Sequence, residues 1–426
     1  MKHPLLFLCV WGLLSFSATA QTETIRMMHY NLLYYTNQAI GCNQNNNNLN
    51  TKDAALQTII EYVMPDVLVV NELGSSVTYA DRIVNNVLNT NGRTYFNHGP
   101  LTNYSGGDIA NMLFYNSEKL SLHSHFYITT VNRDINGYKM YYNTPNLAVG
   151  DTIFTTFLLA HLKAGTGSDN EQKRYSQVVQ LMAKLENIGV YGNYCFSGDF
   201  NLYSADEEAY QYLINYPNSL YKFYDPINQE GKWNNNSAYR SIHTQSTHSD
   251  NNGCASSGGL DDRFDFILVS PPVYYGSRKV KCISESYHAL GNDGNHFNKS
   301  INEGENQDVP AYVANALYTM SDHLPLIMDL EVDVSPTSVS EYAVDFDVQV
   351  VNPIQNTLKI NLQSPINQTF QVELYSMEGK LLKHIFHPSQ VGANHIEMDF
   401  PYASGLYFLK IEDSGQRQII KKLIKY

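Results

Sequence analysis

Past its first twenty residues the chain has no apolar run long enough to cross a bilayer, which takes about 20 residues in a helix, so no transmembrane segment is expected in it. It also lacks a basic excess: 28 Lys and Arg stand against 41 Asp and Glu, for a formal net charge of -13. That excludes a simple basic nucleic-acid-binding module, though not a nuclease, whose bound metal ions offset phosphate charge locally. Cysteine is scarce, five in 426 residues, and no Cys/His spacing has the form of a zinc site. Charged residues make up only 16% against 43% hydrophobic, so most of the chain must fold around packed cores. The length suits two or three domains.

Lys2 and His3 precede the apolar run Leu5 to Leu14, and Ser17-Ala18-Thr19-Ala20 offers small residues for cleavage. This is the pattern of a secretory signal peptide over 1–20, with a mature chain from Gln21. Cys9 leaves with that segment, and the remaining Cys42, Cys195, Cys254 and Cys282 allow three pairings. Cys254 and Cys282 flank one strand and are the preferred pair, while Cys195 sits in an expected core strand as a buried thiol. The 32 tyrosines suit a strand-rich protein with amphipathic surfaces.

The most informative stretch is Cys195-Phe196-Ser197-Gly198-Asp199-Phe200-Asn201, a short apolar run closed by a Gly-Asp turn. Ser204-Ala205-Asp206-Glu207 after it has the S-x-x-E form of a capping box, so strand, turn and helix are expected. Asp199 and Asn201, two apart, would share a face of the pleat and could orient a water between a carboxylate and an amide. Gly, Asp and Asn are also the commonest turn residues, so the stretch alone decides little.

Other strands end in polar residues in the same manner. A first strand, Ile25 to Leu33, carries Asn31. The helical stripe of Lys52 to Val63 leads to Val67-Leu68-Val69-Val70, a fully buried strand type, which closes in Asn71-Glu72. An acid in that position must be paired or bind a cation. A helix is expected from Ala80 to Leu88, and strands at Asn111 to Tyr115, His123 to Thr130 and Lys139 to Tyr142. Thr152 to Leu162 is a strand finishing in His161. Glu171 to Ile188 and Tyr210 to Ile214 read as helices. Asp265 lies inside the apolar strand Asp261 to Val269 and needs a buried partner. Ser321-Asp322-His323-Leu324-Pro325 precedes the strand Leu326 to Leu330 and brings an acid beside an imidazole, the usual proton-transfer group near neutral pH. The polar segments Cys42 to Asn50, Lys222 to Gly258 and Phe297 to Gln307 read as loops or carry no assignment.

Taken in order, Asn31, Asn71-Glu72, His161-Leu162, Gly198-Asp199-Phe200-Asn201, Arg263-Phe264-Asp265 and Ser321-Asp322-His323-Leu324-Pro325 resemble the endonuclease/exonuclease/phosphatase superfamily. The resemblance covers Ile25 to Leu330, and the GDFN and SDHLP stretches are its most specific parts. It implies an α/β four-layer αββα sandwich of the deoxyribonuclease I type, two mainly antiparallel sheets face to face with helices outside. Position by position it implies Glu72 as the main ligand of a divalent cation, helped by Asn31 and Asp322. Asp199 would orient or deprotonate the attacking water, held by Asn201. Asp265 and His323 would form a carboxylate–imidazole pair beside the scissile phosphate, with His161 as the second histidine. Asp108 is a looser match as partner of His161, and Tyr142 or Tyr141 as a phosphate-contacting phenol. Here Asn71 stands where the family often has Gln, and Phe264 where it often has Ile. Oxygen ligands suit Mg²⁺, or Ca²⁺ or Mn²⁺.

From Val350 the sequence changes to short alternating strands, Leu358 to Leu362, Phe370 to Tyr375, His395 to Met398 and Leu406 to Ile411, with turns at Glu378-Gly379 and Ser414-Gly415, a small all-β sandwich pattern. Asn352-Pro353, Gly379-Lys380, Gly405-Leu406-Tyr407 and Lys421-Lys422-Leu423-Ile424-Lys425 resemble the carboxyl-terminal sorting domain of type IX secretion; a generic accessory β-domain is the alternative. The expected layout is 1–20 signal peptide, 21–332 catalytic domain, 333–349 linker and 350–426 sorting domain. The implied protein is a monomer, exported through the periplasm to the medium or cell surface by the type IX machinery. The first functional reading is a metal-dependent extracellular endonuclease acting on DNA or RNA. A lipid or sugar head-group phosphodiesterase or phosphatase, and a catalytically dead surface binding protein, are the alternatives.

Overall fold

The computed structural model describes residues 21–36, 41–145, 147, 152–335, 346–364, 367–413 and 418–426. The expected signal peptide lies outside the described residues. A six-stranded sheet has the order β10 (Val280–Ala289), β11 (Leu326–Asp333), β1 (Thr22–Tyr35), β2 (Val67–Gly74), β4 (Ile109–Asn116), β3 (Phe96–His98). A five-stranded sheet runs β5 (Leu120–Ile128), β6 (Ile135–Tyr142), β7 (Phe154–His161), β8 (Tyr194–Asp199), β9 (Asp265–Val269). One buried cluster joins the two, with Met112, Leu113 and Val69 from the first sheet packed with Phe157, Leu159, Cys195 and Ile267 from the second.

Helices cover the outer faces. The helix α1 (Leu49–Val63) buries Leu56, Ile59, Ile60 and Val63, spaced as one stripe, with α6 (Ala311–Met320) beside it on the six-stranded sheet. The α3 helix (Ser168–Ile188) buries Val178, Leu181, Met182 and Leu185 with α4 (Glu208–Ile214) on the other side. The result is the expected four-layer sandwich. The helix read over Ala80 to Leu88 is α2 (Val77–Ile83) continuing as a π-helical turn, Val84–Leu88. The strand β10 and the helices α5 (Pro271–Tyr275) and α6 were not anticipated.

Each of these two sheets holds one parallel pair. β1 and β2 pair in parallel with α1 as the crossover, and β7 and β8 do so with α3. Parallel neighbours end at the same edge, so Asn31 registers with Asn71, and His161 with Asp199. Antiparallel β9 begins where β8 ends, pairing Asp199 with Asp265. β11 likewise begins opposite His29. Six separate polar stretches are thereby delivered to one end of the sandwich.

The disulfide joins Cys42 to Cys254, not Cys254 to Cys282. Cys282 points inward from β10 and is a buried thiol, as is Cys195. The Cys254 loop instead lies over the Asn-rich loop after β1, where Asn46 Nδ2 donates to Asn252 O at 3.1 Å. The capping box also differs from expectation. The helix starts at Glu208, and the Glu207 carboxylate accepts from the Tyr203 amide and from Arg174 Nε, at 2.8 and 2.7 Å. Arg174 is fully buried and needs that charge more than the helix needs a cap.

The C-terminal unit is a sandwich of two antiparallel sheets around its own core. One is β12 (Asp347–Val350), β13 (Thr357–Ser364), β16 (Gly392–Asp399). The other is β15 (Leu381–Ser389), β14 (Gln368–Ser376), β17 (Gly405–Glu412), β18 (Gln418–Lys425). Its core includes Leu358, Ile360, Phe370, Leu374 and Leu409. It begins earlier than expected, with buried Phe346 and β12 inside the segment read as linker. The Lys-rich terminus is a paired strand, β18, with Leu423 buried. It meets the first unit through Ser219 Oγ donating to His384 O at 2.9 Å, Arg278 beside Glu373 at 3.4 Å, and Tyr275 against Phe386.

Those contacts lie at the start of β8 and just beyond the end of β9, the opposite end of the sheet from Asp199 and Asp265. A chain ending after Ser335 is therefore expected to fold and keep its turnover number on the best substrate, with a lower melting temperature because Tyr191 and Tyr275 lose their cover. Purified full-length and shortened proteins compared by turnover and thermal melting check this; a folded but inactive short form would place part of the site in the second unit.

Candidate active site

At the shared end of the sheets, Asp265 is fully buried and accepts from two imidazoles, His323 Nδ1 at 2.7 Å and His29 Nε2 at 2.9 Å. Its backbone amide donates to Thr244 Oγ1 at 3.1 Å. Burial alone would raise the Asp265 pKa, but His323 and His29 outweigh it and hold the carboxyl well below its ordinary value. Burial likewise works against a charged His323, and Asp265 with Asp199 overcomes it, raising the His323 pKa well above the usual range. The His323 Nδ1 proton is thus directed at Asp265, and Nε2 points toward the centre. Nε2 stands 2.7 Å from the Gln245 side-chain amide and 3.7 Å from Asp199 Oδ2.

Asp199 is held on three sides. Its Oδ1 accepts from the Asn201 amide and from Asn201 Nδ2, at 3.1 and 2.8 Å. Its Oδ2 accepts from Asn31 Nδ2 at 3.0 Å. Its own amide donates to Asn71 Oδ1 at 2.8 Å. Asn201 reaches it from a left-handed turn past the strand end (φ 51), so pleat alternation is not what brings them together. Burial pushes the Asp199 pKa up to about 7, with His323 opposing.

Glu72 also sits on left-handed backbone (φ 59), as do Leu33 (φ 44) and Tyr34 (φ 47) opposite it. For residues with a Cβ such positions cost on the order of 1–3 kcal/mol each, so surrounding bonds must hold them. Glu72 Oε2 accepts from the Tyr34 amide at 2.9 Å, and Oε1 from Asn31 Nδ2 at 3.2 Å. Burial, then Asp322, raises the Glu72 pKa. His161 Nε2 is 3.3 Å from Asp199 Oδ2 and 3.8 Å from Glu72 Oε1, while its Nδ1 has no hydrogen-bond partner among the described residues. Burial, then Arg133, lowers the His161 pKa well below its ordinary value.

Glu72, His161 and Asp199 offer ligand atoms all within 4.8 Å of one another. A buried and a part-buried carboxylate, both with raised pKa values, beside a neutral imidazole fit a divalent cation, whose charge would reverse the cost of ionising them. Asn31 lies between both carboxylates. Asp322, also expected as a ligand, is not one of these three. Its Oδ2 accepts from Gln245 Nε2 at 3.1 Å and from the Ser256 amide at 2.9 Å. His161, expected as the second histidine, contacting phosphate or assisting the leaving group, is inside the group.

Two further expectations fail on placement. Tyr142 is buried in the core, its hydroxyl bonded to Thr155 Oγ1 at 3.2 Å, at the far end of β6 from Asn136, the residue paired with Leu159 near the site. That is roughly 20 Å along the strand. Tyr141 shares that end, against Phe154. Asp108 is exposed at the head of β4, and no bond joins it to His161.

Several residues escaped the sequence reading. His29 precedes Asn31 by two on β1, so the period-2 rule places both toward the centre. Arg133 is the cation whose field reaches both Glu72 and His161. Thr244 and Gln245 come from the segment that carried no assignment, and Gln245 bridges to both Asp262 and His323. Asn71 Nδ2 donates to Asn111 Oδ1 at 2.7 Å, and Asn111 Nδ2 to Asn136 Oδ1 at 3.0 Å, a buried amide relay linking the two sheets behind Asp199.

Fold and site together define a two-sheet αββα sandwich whose strand ends converge on a buried Asp–His pair and an acidic centre. Residues 352–426 match the family described as "Secretion system C-terminal sorting domain", so the C-terminal sandwich is the sorting domain that its motifs resemble. No curated protein matches the chain. Among solved structures it is similar to the human Nocturnin catalytic domain with bound sulfate anion, at 18% identity and TM-score 0.44, over 72% of this chain and 94% of that one. It is similar to D. rerio TDP2 complexed with single strand DNA product, at 13% identity and TM-score 0.43, over 72% and 98%. A third is an endonuclease/exonuclease/phosphatase from Beutenbergia cavernae DSM 12333, at 12% identity and TM-score 0.41, over 94% and 100%.

Proposed function

We propose that the first unit is a divalent-metal-dependent phosphodiesterase, exported by means of the sorting domain, with nucleic acid as its substrate. The observation that carries this reading is the Asp265–His323 pair placed beside Asp199 and the Glu72–His161–Asp199 group. Phosphoester hydrolysis needs a positioned water, donors for the phosphoryl oxygens and a way to release the leaving oxygen. A bound Mg²⁺, Ca²⁺ or Mn²⁺ would supply Lewis-acid stabilisation of phosphoryl charge. Asp199, oriented by Asn201 and Asn31, accepts the proton of the attacking water. His323, kept protonated by Asp265, donates from Nε2 to a phosphoryl oxygen. As the water oxygen bonds to phosphorus, the P–O bond opposite it breaks and the leaving oxygen takes its proton from solvent, while His161 stays on the acidic group.

Support for nucleic acid comes from the rim. Tyr104 is 66% exposed and stacks on Tyr127 with ring centroids 4.3 Å apart. The Tyr104 amide donates to Asp134, next to Arg133, so an aromatic shelf adjoins the cationic edge. Stacked aromatics beside a cation suit bases and backbone of a single strand. A panel of plasmid DNA, RNA, sphingomyelin and phosphoinositides with Mg²⁺ tests this. Cleavage of DNA or RNA is expected, and selective cleavage of a lipid would overturn the substrate assignment.

A further inference from the structure

We propose that Lys52 is a positioning residue for the acidic centre: together with Asn47 it clamps the inward-turned carbonyls at the end of β1, and so holds the Tyr34 amide on Glu72. Lys52 lies on α1, behind the site, with 1% of its surface exposed. Its ammonium donates to Leu32 O at 2.6 Å, Leu33 O at 2.7 Å and Asn47 Oδ1 at 2.7 Å, so all three donors are used. Asn47 Nδ2 in turn donates to Tyr34 O at 2.8 Å. Three successive carbonyls are therefore gripped from the helix side.

The same segment sends its amides the other way. Leu33 N donates to Asn31 Oδ1 and Tyr34 N to Glu72 Oε2, both at 2.9 Å. This division needs the consecutive left-handed conformations of Leu33 and Tyr34. The sheet does not supply that constraint, because the β1–β2 register breaks between Asn31 and Tyr35. A packing role alone would be met by Met or Leu, as at the neighbouring buried positions Leu49 and Leu56. What a lysine adds is three donors, all taken by Leu32 O, Leu33 O and Asn47 Oδ1; burial lowers its pKa to about 7, and Asp322 and Glu72 of the site oppose that fall.

The inference rests on the metal reading above, and its test separates the two. Lys52→Met and Asn47→Ala are compared with the wild-type chain by calorimetric Mg²⁺ titration and by amide hydrogen exchange over residues 31–36, with Lys52→Arg as the donor-retaining control. In Lys52→Met, Mg²⁺ affinity is expected to fall about 10-fold or more, the scale for residues that orient ligands from behind, with faster exchange over 31–36. Asn47→Ala should move both in the same direction by less, and Lys52→Arg should recover part of each. A folded Lys52→Met with wild-type affinity and exchange overturns the proposal. If Lys52→Met does not fold, unchanged affinity and exchange in Asn47→Ala overturn it instead. If the wild-type chain binds no Mg²⁺, the metal reading fails, and the exchange measurement alone decides the clamp.

Discussion

His323→Ala and Asp199→Ala are each expected to lower kcat on the best substrate by at least ~10²-fold, the scale for a general acid–base group or a preorganised electrostatic one. In His323→Ala the loss has two sources. The Nε2 donor disappears, and Asp265 keeps only His29 as a partner for a fully buried charge. Leaving a buried carboxylate under-paired is costly, so a stability measurement must accompany the kinetics. His323→Gln, which can retain a donor toward Asp265, separates the two effects: stability should recover while turnover stays low. In Asp199→Ala the proton acceptor is removed, and Asn201 and Asn31 lose their shared partner. Steady-state turnover of folded variants checks both; near-wild-type kcat in the two would show that the site has been misplaced.

Glu72→Gln is expected to abolish measurable Mg²⁺ binding while the fold persists. The amide keeps the size of the carboxylate and can still accept from Tyr34 N, so the left-handed turn at Glu72 retains its bond. What is lost is the negative charge at a site where Asp199 and Asp322 are the other acids close by. Hard divalent cations bind chiefly through anionic oxygen. Calorimetric titration of both forms, with thermal melting as the control for folding, decides the matter. Unchanged affinity would remove Glu72 from the centre.

Much of this was legible because the determinants are local. The GDFN and SDHLP stretches carry their acids at strand ends, and apolar runs such as Val67 to Val70 mark the central strands that the sandwich buries. Alternation and helical stripes placed most elements within a few residues. What was not legible depends on pairing across the chain. Asp265 takes its second imidazole from His29, 236 residues away. Gln245 reaches Asp322 from a segment without periodicity. Cys42 finds Cys254 only because the two loops stack at the site's rim. Tyr142 fell to strand direction: β6 runs away from the site, so its last residues lie at the wrong end. Asn201 was placed beside Asp199 for the wrong reason, since a left-handed turn rather than the pleat does it.

On the proposed function, this end of the sandwich hydrolyses phosphodiesters with a divalent cation. The most direct test of that is the rate of hydrolysis of a simple chromogenic phosphodiester by the purified chain as Mg²⁺ is titrated from a chelated, metal-free start. The account predicts no turnover without metal, saturable turnover as Mg²⁺ is added, and none at any Mg²⁺ concentration in Glu72→Gln. Hydrolysis at full rate in the metal-free protein, or by Glu72→Gln, would contradict it.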